Sequence, residues 1–366
     1  MKFSVSQASL STALAIVSKG LTSSTLPILS GIYVRAAEGT LEFQSTDLSI
    51  SVRHKVAANV EEPGATVIPG RVLQSMVKNL AGSTVQVEER DRMVVVKCGK
   101  AVYRLNTLAA SDFPEFPEIA VSDSVELPRA VLSAMVDKVY KVTSKAKSRP
   151  LLQGILLTVE NNVLRLVATD SYRLAVCDTN VETSSLQGSF EMIIPGAAFH
   201  DVLSLPCSSD VIFIGSTNSQ VVFSFDNTTY VARRIEGTFP NFKQLLPTTS
   251  STTVRLPLAD FGGALRRASV IASTNPSIRF DVDADGQLVT LSAVSPEQGE
   301  VREEVGCEVV GNTVSIGLNY HYVADCIAAV SGKDEVTLEL QDSARPGVFK
   351  SYDKINYLYL VMPVRM

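Results

Sequence analysis

The pattern that most suggests chemistry is acidic. Asp281-x-Asp283-x-Asp285-Gly286 has the spacing with which carboxylates open a calcium loop. The twelfth position of such a loop supplies a bidentate glutamate, and here it is Ser292. The segment also falls where plain hairpin turns stand elsewhere in the chain, so a solvated turn is expected. A second candidate is Asp170 beside Tyr172 and Arg173, a grouping that invites an acid–base reading. Yet Asp47, flanked by Leu48 and Ser49, holds the same place 123 residues earlier. An aspartate present in both places is expected to cap a turn rather than move protons. There is no G-x-G-x-x-G after a strand, no Walker A pattern and no G-x-S-x-G. The five cysteines (Cys98, Cys177, Cys207, Cys307, Cys326) are odd in number and lack a C-x-x-C, so reduced, mostly buried thiols are expected. The three histidines (His54, His200, His321) lie far apart, and no metal site is expected. These readings point away from an enzyme, a hydrolase included, and toward a protein that works without a cofactor.

The other chemistry-bearing residues are basic. Residues 138–149 hold Lys138, Lys141, Lys145, Lys147 and Arg149 with no acid among them. Arg71 and Lys78 sit on one expected helix, and Arg266 and Arg267 on another. A solvated helix end complementing the helix dipole is the ordinary explanation of such a run. Cations at equivalent places of several helices suggest instead a surface that meets phosphates without reading bases. The lining is patchy, since the first helix contributes only Lys19 and another only His200 beside Asp201. The net charge of −5 is no obstacle, because a sum over all faces can hide a basic stripe.

The elements that must position these residues come in repeats. Pro27-x-Leu29-x-Gly31 is followed by Thr46-Asp47, and Pro150-x-Leu152-x-Gly154 by Thr169-Asp170 at the same distance. A fainter copy runs from Pro276 to Ser295-Pro296. The copies are offset by 123 and 126 residues in a chain of 366, so three equal units fill it. The boundaries fall at 1–122, 123–251 and 252–366. Each unit opens with a strand and an amphipathic helix over residues 7–19, 129–140 and 259–271. The apolar faces are Leu10, Ala13, Leu14 and Val17; then Val131, Met135 and Val139; then Phe261, Leu265 and Ala268. Hairpins follow, with Ala-Glu-Gly, Glu-Asn-Asn and Asp-Ala-Asp-Gly-Gln supplying their turns. Each unit then repeats its plan, with second helices over residues 71–80, 197–205 and 320–330. Phe113-Pro-Glu-Phe116 and Phe239-Pro-Asn-Phe242 mark the ends of the first two units. The fold class is α+β, three repeated domains, each with two helices packed on antiparallel sheets.

Hydrophobic residues make up 45% and charged residues 19%, without an 18-residue uncharged apolar stretch, so no membrane partner is expected. The apolar segment near Lys2 could pass for a weak secretory signal. Similar segments recur mid-chain, so it reads as a structural element and the expected location is cytoplasmic.

With these features on the page, the chain resembles the bacterial DNA polymerase III beta subunits, the sliding clamps. The marks are Thr25-Leu-Pro-Ile-Leu29, Ala168-Thr-Asp-Ser-Tyr-Arg-Leu-Ala175 and Tyr359-Leu-Val-Met-Pro-Val-Arg-Met366, and the resemblance spans the whole chain. It implies a head-to-tail homodimer closing as a ring around duplex DNA, bound without regard to sequence. It implies as partners the DNA polymerase III alpha subunit, the clamp loader and other proteins carrying a clamp-binding motif. It also implies one pocket for partner peptides, built from Leu152, Thr169, Ser171, Tyr172, Arg173, Leu174, Pro240, Gln244, Leu245, Tyr322, Leu360, Met362, Pro363, Val364 and Arg365. Leu152, Leu174, Leu360 and Met362 would bury an apolar anchor, and Arg173 and Arg365 would take polar or carboxylate groups at the rim. Ordinary strand core is the competing reading of Leu174 and Leu360. The chain departs from the family pattern at Ser171-Tyr172, where Gly-His is frequent, and at Gln244 and Ser23, where some members carry arginine. The alternative function is a repeat scaffold that binds proteins without encircling DNA.

Overall fold

The computed structural model describes residues 1–22, 26–182, 188–273 and 275–365; Ser23, Thr25 and Met366 lie outside the described residues. By backbone contacts the chain divides into two compact units. Among the described residues, one is built from the stretches within 1–130 and 197–234; the other is built from those within 131–182, 188–196 and 235–365.

The first unit holds two sheets. One has five strands in the order Asn59–Glu62, Lys2–Ser6, Thr84–Arg90, Met93–Cys98, Ala101–Asn106. The other has eight: Asp123–Pro128, Val211–Ser216, Gln220–Phe225, Thr228–Arg233, Ile50–Ala57, Thr40–Thr46, Gly31–Ala37, Gly64–Pro69. The second unit has a nine-stranded sheet: Phe190–Pro195, Gly154–Glu160, Val163–Thr169, Arg173–Asn180, Asn356–Val361, Gly347–Ser351, Glu335–Leu340, Thr252–Pro257, Glu308–Gly311. Its second sheet has four strands: Gly299–Gly306, Leu288–Ser295, Ser277–Asp283, Val314–Asn319. All named pairings are antiparallel. The repeats are therefore fused by strand pairing. Thr228–Arg233 of the second repeat lies along Ile50–Ala57 of the first, and Asn356–Val361 of the third along Arg173–Asn180 of the second. Those shared ladders are why compactness does not follow the repeat boundaries.

Six α-helices fall close to the expected places among the described residues: α1 Gln7–Val17, α2 Gly70–Lys78, α3 Arg129–Val139, α4 Gly196–Leu203, α5 Leu258–Ile271 and α6 Tyr320–Ala329. In α1, Leu10, Ala13, Leu14 and Val17 are buried as their spacing predicts, with Ile16 beside them. In α5, Phe261, Leu265 and Ala268 are buried. The face of α3 is turned from the expected one. Leu132, Met135, Val136 and Val139 are its buried set, and Val131 is only half-buried. Val131, Met135 and Val139 satisfy a 3.6-residue period, but so does the set that won, and packing chose the denser one.

The glycine of the repeated motif has a packing cause. A Cβ on Gly31 would fall 2.3 Å from Val67 Cγ1, and on Gly154 2.4 Å from Ile193 Cγ2. The neighbouring strand lies too close for any side chain there. Hairpin turns behave as their residues demand, with positive φ at Glu38 (49°), Asn161 (51°), Asn162 (60°) and Gln287 (51°). In the calcium-like stretch, Asp283 Oδ1 accepts hydrogen bonds from the backbone amides of Asp285 and Gly286, both at 3.1 Å. Asp281 pairs with Arg279 at 2.7 Å. These carboxylates cap a turn and neutralise a neighbour.

Candidate partner-peptide site and basic surface

The second unit's candidate site is built on the turn after the Val163–Thr169 strand. Thr169 Oγ1 donates to the Arg173 carbonyl at 2.7 Å and accepts from the Ser171 amide at 3.2 Å. Asp170 Oδ1 accepts from the amides of Tyr172 and Arg173 at 2.9 and 3.1 Å. The first repeat closes the same turn with Asp47, which accepts from Ser49 and Ile50. The expectation that both aspartates cap turns therefore holds. The turn needs a left-handed residue, Leu48 at φ 72° and Ser171 at φ 81°. That geometry explains why glycine suits the position, and Ser171 occupies it at a steric cost of about 1–2 kcal/mol. Ser171 Oγ also accepts from Arg149 Nη1 at 3.2 Å.

Arg173 does not do what the sequence suggested. It is 9% exposed, and its guanidinium is committed internally. Nε meets Asp170 Oδ2 at 3.0 Å, Nη1 meets Asp325 Oδ2 at 2.6 Å and Tyr359 Oη at 3.1 Å, and Nη2 meets the Lys141 carbonyl at 2.7 Å. The plane also lies 4.4 Å from the Tyr322 ring centroid. Burial would lower its pKa, but Tyr359, Asp325 and Asp170 outweigh burial and raise it. Arg173 is thus the post that ties the turn to α6 and to the Asn356–Val361 strand, not a receptor for a partner's carboxylate. Asp325 and Tyr359, which complete this network, had no mark in the sequence. Asp325 is 152 positions from the arginine it holds.

Leu174 and Leu360 are 1% and 3% exposed and pair across the two strands. They belong to a buried cluster with Val176, Phe239 and Phe242. Both are packed as strand core, so any part they take in a pocket is as its floor. Phe239-Pro-Asn-Phe242, read only as a unit boundary, supplies two buried rings of this cluster. Thr169 is likewise buried and serves the turn. The apolar surface left open belongs to Tyr172, Leu245 and Met362, which are 58%, 53% and 40% exposed. Leu152, Tyr322, Pro363 and Val364 are half-buried, while Pro240, Gln244 and Arg365 are exposed. The Met362 amide donates to the Tyr172 carbonyl at 2.9 Å, and the Val364 amide to Gly317 at 2.9 Å. Two exposed anchors, Tyr172 and Met362, are thereby fixed side by side. Large apolar side chains left wet and held in place are no part of the core.

The expected DNA-facing residues divide into three groups. Arg71 and Lys78 on α2, Lys145, Lys147 and Arg149 after α3, and Arg266 on α5 are exposed. Lys141 is exposed with its ammonium 3.8 Å from Asp325, and Arg267 forms a two-point pair with Glu303 at 2.9 and 2.6 Å. Lys138 is a correction. Its ammonium donates to the Ala329 carbonyl at the end of α6 and sits 5.4 Å from the Tyr357 ring centroid. Burial lowers its pKa. It serves a helix C-terminus, where a cation is favoured. Lys19 is similarly engaged, with Asp201 at 2.7 Å. Replacing Lys138 by methionine is therefore expected to leave binding to short duplex DNA within twofold. Replacing Lys145 and Lys147 together is expected to lower the slope of log affinity against log salt by about 1.8. Titrations at several salt concentrations check both.

Cys98, Cys177 and Cys326 are buried and Cys207 and Cys307 half-buried, all as free thiols. Burial raises the pKa of Cys177 and Cys326, which keeps them protonated and unreactive. Among the described residues no helix is long and apolar enough to cross a membrane.

Comparison with known proteins gives one consistent picture. Residues 1–117 match the family described as DNA polymerase III beta subunit, N-terminal domain, residues 126–241 its central domain, and residues 243–365 its C-terminal domain. The chain is 30% identical over 352 residues to a beta sliding clamp of Staphylococcus epidermidis, covering 93% of each. It superposes on the DNA polymerase III beta subunit of Thermotoga maritima with a TM-score of 0.93 at 28% identity, covering 100% of this chain and 99% of that one. The DNA polymerase sliding clamp of Bacillus subtilis gives a TM-score of 0.92 at 26% identity, again over 100% and 99%.

Proposed function

The chain belongs to the DNA polymerase III beta subunit family, and on that premise we propose that it acts as a sliding clamp. Two copies close head to tail into a ring around duplex DNA, and the ring tethers the replicative polymerase and other DNA-processing proteins as a processivity factor. It catalyses no step; it confines its partners to the template, in the cytoplasm where the DNA is. The three repeats, taken as 1–122, 123–251 and 252–366, supply six units of the ring from two chains.

One observation carries the ring. Within this chain, the last strand of one repeat's second half pairs with the outer strand of the preceding repeat's first half, twice. The same rule leaves two strands unmatched. Ala101–Asn106 ends the five-stranded sheet, and Gly299–Gly306 ends the four-stranded one. Repeating the rule between copies pairs the first with the second of the next chain. Such a heterologous contact closes into a ring when the rotation permits. The chemistry fits: Lys97, Lys100 and Arg104 lie on or beside the first edge and Glu300 on the second, where Glu303 and Glu304 already pair with Arg267 and Arg302. An open, exposed edge strand is otherwise an aggregation hazard. The exposed anchors Tyr172, Leu245 and Met362 support the second half of the proposal, a landing site for apolar peptide segments of the polymerase alpha subunit, the clamp loader and others.

The experiment that tests encirclement is topological. Protein assembled on nicked circular duplex is expected to be retained through gel filtration and lost within minutes when the circle is cut once. Equal retention on cut and uncut DNA would leave the scaffold reading, protein binding without encirclement, in its place.

A further inference from the structure

Beside the exposed anchors, the same sheet face carries a cleft that the proposed pocket does not use. Its volume is about 250 Å³, room for one or two side chains rather than for a cofactor. Its floor is Val176 and Leu358, which pair across the sheet in the row next to Leu174 and Leu360. Phe242 and Leu246 belong to the same apolar cluster as both rows. The cleft thus lies two residues along the strands from the buried Leu174–Leu360 row, about 7 Å, and four residues from Tyr172 and Met362, about 13 Å.

The charges at its mouth are unequal. Asp178 already has partners, with Arg165 Nε at 3.7 Å and Asn356 Nδ2 at 3.1 Å. Lys243 is exposed and has no hydrogen bond or ion pair to its ammonium among the described residues. Tyr352, 71% exposed, stands at the edge. One carboxylate is answered twice over, and one cation is not answered at all. A ligand that lays an apolar residue on Val176 and Leu358 and an acidic one against Lys243 would complete the balance.

We propose that this cleft is a second subsite that takes the acidic flank of the peptide anchored at Tyr172, Leu245 and Met362. The inference rests on that pocket reading. An extended peptide advances about 3.3 Å per residue, so the flank lies two to four residues beyond the anchor. The subsite would rank partners that share an apolar anchor by the charge next to it, which is where specificity between related ligands is most easily set.

The test uses the full chain and fluorescein-labelled peptides read by anisotropy. One peptide carries an adjacent Leu-Phe pair in a glycine–serine context. Two others add a pair of glutamates two to four residues beyond the anchor, one on each side. A fourth and fifth carry lysines instead. One glutamate peptide is expected to bind about five- to tenfold tighter than the neutral one at low salt, and to lose that gain in 1 M salt. Lys243→Glu is expected to reverse the preference toward the matching lysine peptide while leaving the neutral peptide within twofold. If the neutral peptide binds, and is lost with Met362→Asp, yet neither glutamate peptide gains, the subsite is wrong and the pocket stands. The subsite is equally wrong if the gain survives Lys243→Glu. If the neutral peptide binds nowhere, or survives Met362→Asp, the pocket reading fails and the subsite falls with it.

Discussion

Proline placed in the outer strand Ala101–Asn106 is expected to open the ring. Adjacent residues in a strand point their amides to opposite sides, so of Val102 and Tyr103 one faces the neighbouring Met93–Cys98 strand and the other the free edge. Proline at the edge-facing position removes a donor from the intermolecular ladder and leaves the five-stranded sheet intact. Each interface should lose about 1–3 kcal/mol, the cost of a carbonyl left without its donor. A dimer has two such interfaces, so its dissociation constant should rise by roughly 30-fold to 10⁴-fold. Sedimentation at micromolar protein would then show a monomer with unchanged secondary structure, no longer retained on circular DNA. Persistence of the dimer in both single-proline variants would mean that this edge is not the closing contact. The acidic and basic residues on the two edges add a second expectation: the wild-type dimer should weaken as salt rises.

The second large effect concerns Arg173. Arg173→Ala leaves Asp170 and Asp325 facing a hole where their shared cation stood, and removes donors from Tyr359 and the Lys141 carbonyl. Losing one side of a partly buried charge network costs roughly 3 kcal/mol. Urea denaturation should show that loss, and Arg173→Lys should restore only a small part, because an ammonium cannot meet four partners in a planar fork. Peptide affinity should fall about tenfold or more, since the turn that carries Tyr172 loses its anchor. Tyr172→Ala is the control: it should weaken the peptide comparably without moving the urea midpoint. An Arg173→Ala protein of unchanged stability would refute the positioning role.

Local structure was legible in the chain wherever its cause was local. Glu-Asn-Asn makes its hairpin because both asparagines tolerate positive φ. Asp47 and Asp170 cap their turns because a short carboxylate reaches amides two and three residues on. Leu10, Leu14 and Val17 are buried because their helical spacing sets them on the packed face. The α3 face was misread because Val131 and Leu132 start two stripes of nearly equal quality, and only the packed partner could choose. Lys138 looked like any other cation of residues 138–149, yet its partner lies 191 positions away at the end of α6.

The sequence by itself determined three repeats, the helix–hairpin plan within each, the capping aspartates and the family to which their pattern belongs. These follow from side-chain preferences acting over a few residues and from spacing that recurs. Only the tertiary structure decided which cations are exposed, which leucines are buried, and which strand edges remain open. Those are properties of pairs far apart in the chain. Arg173 is a post and not a receptor because Asp325 is there to meet it, and a strand is an edge only when every other strand has found its neighbour.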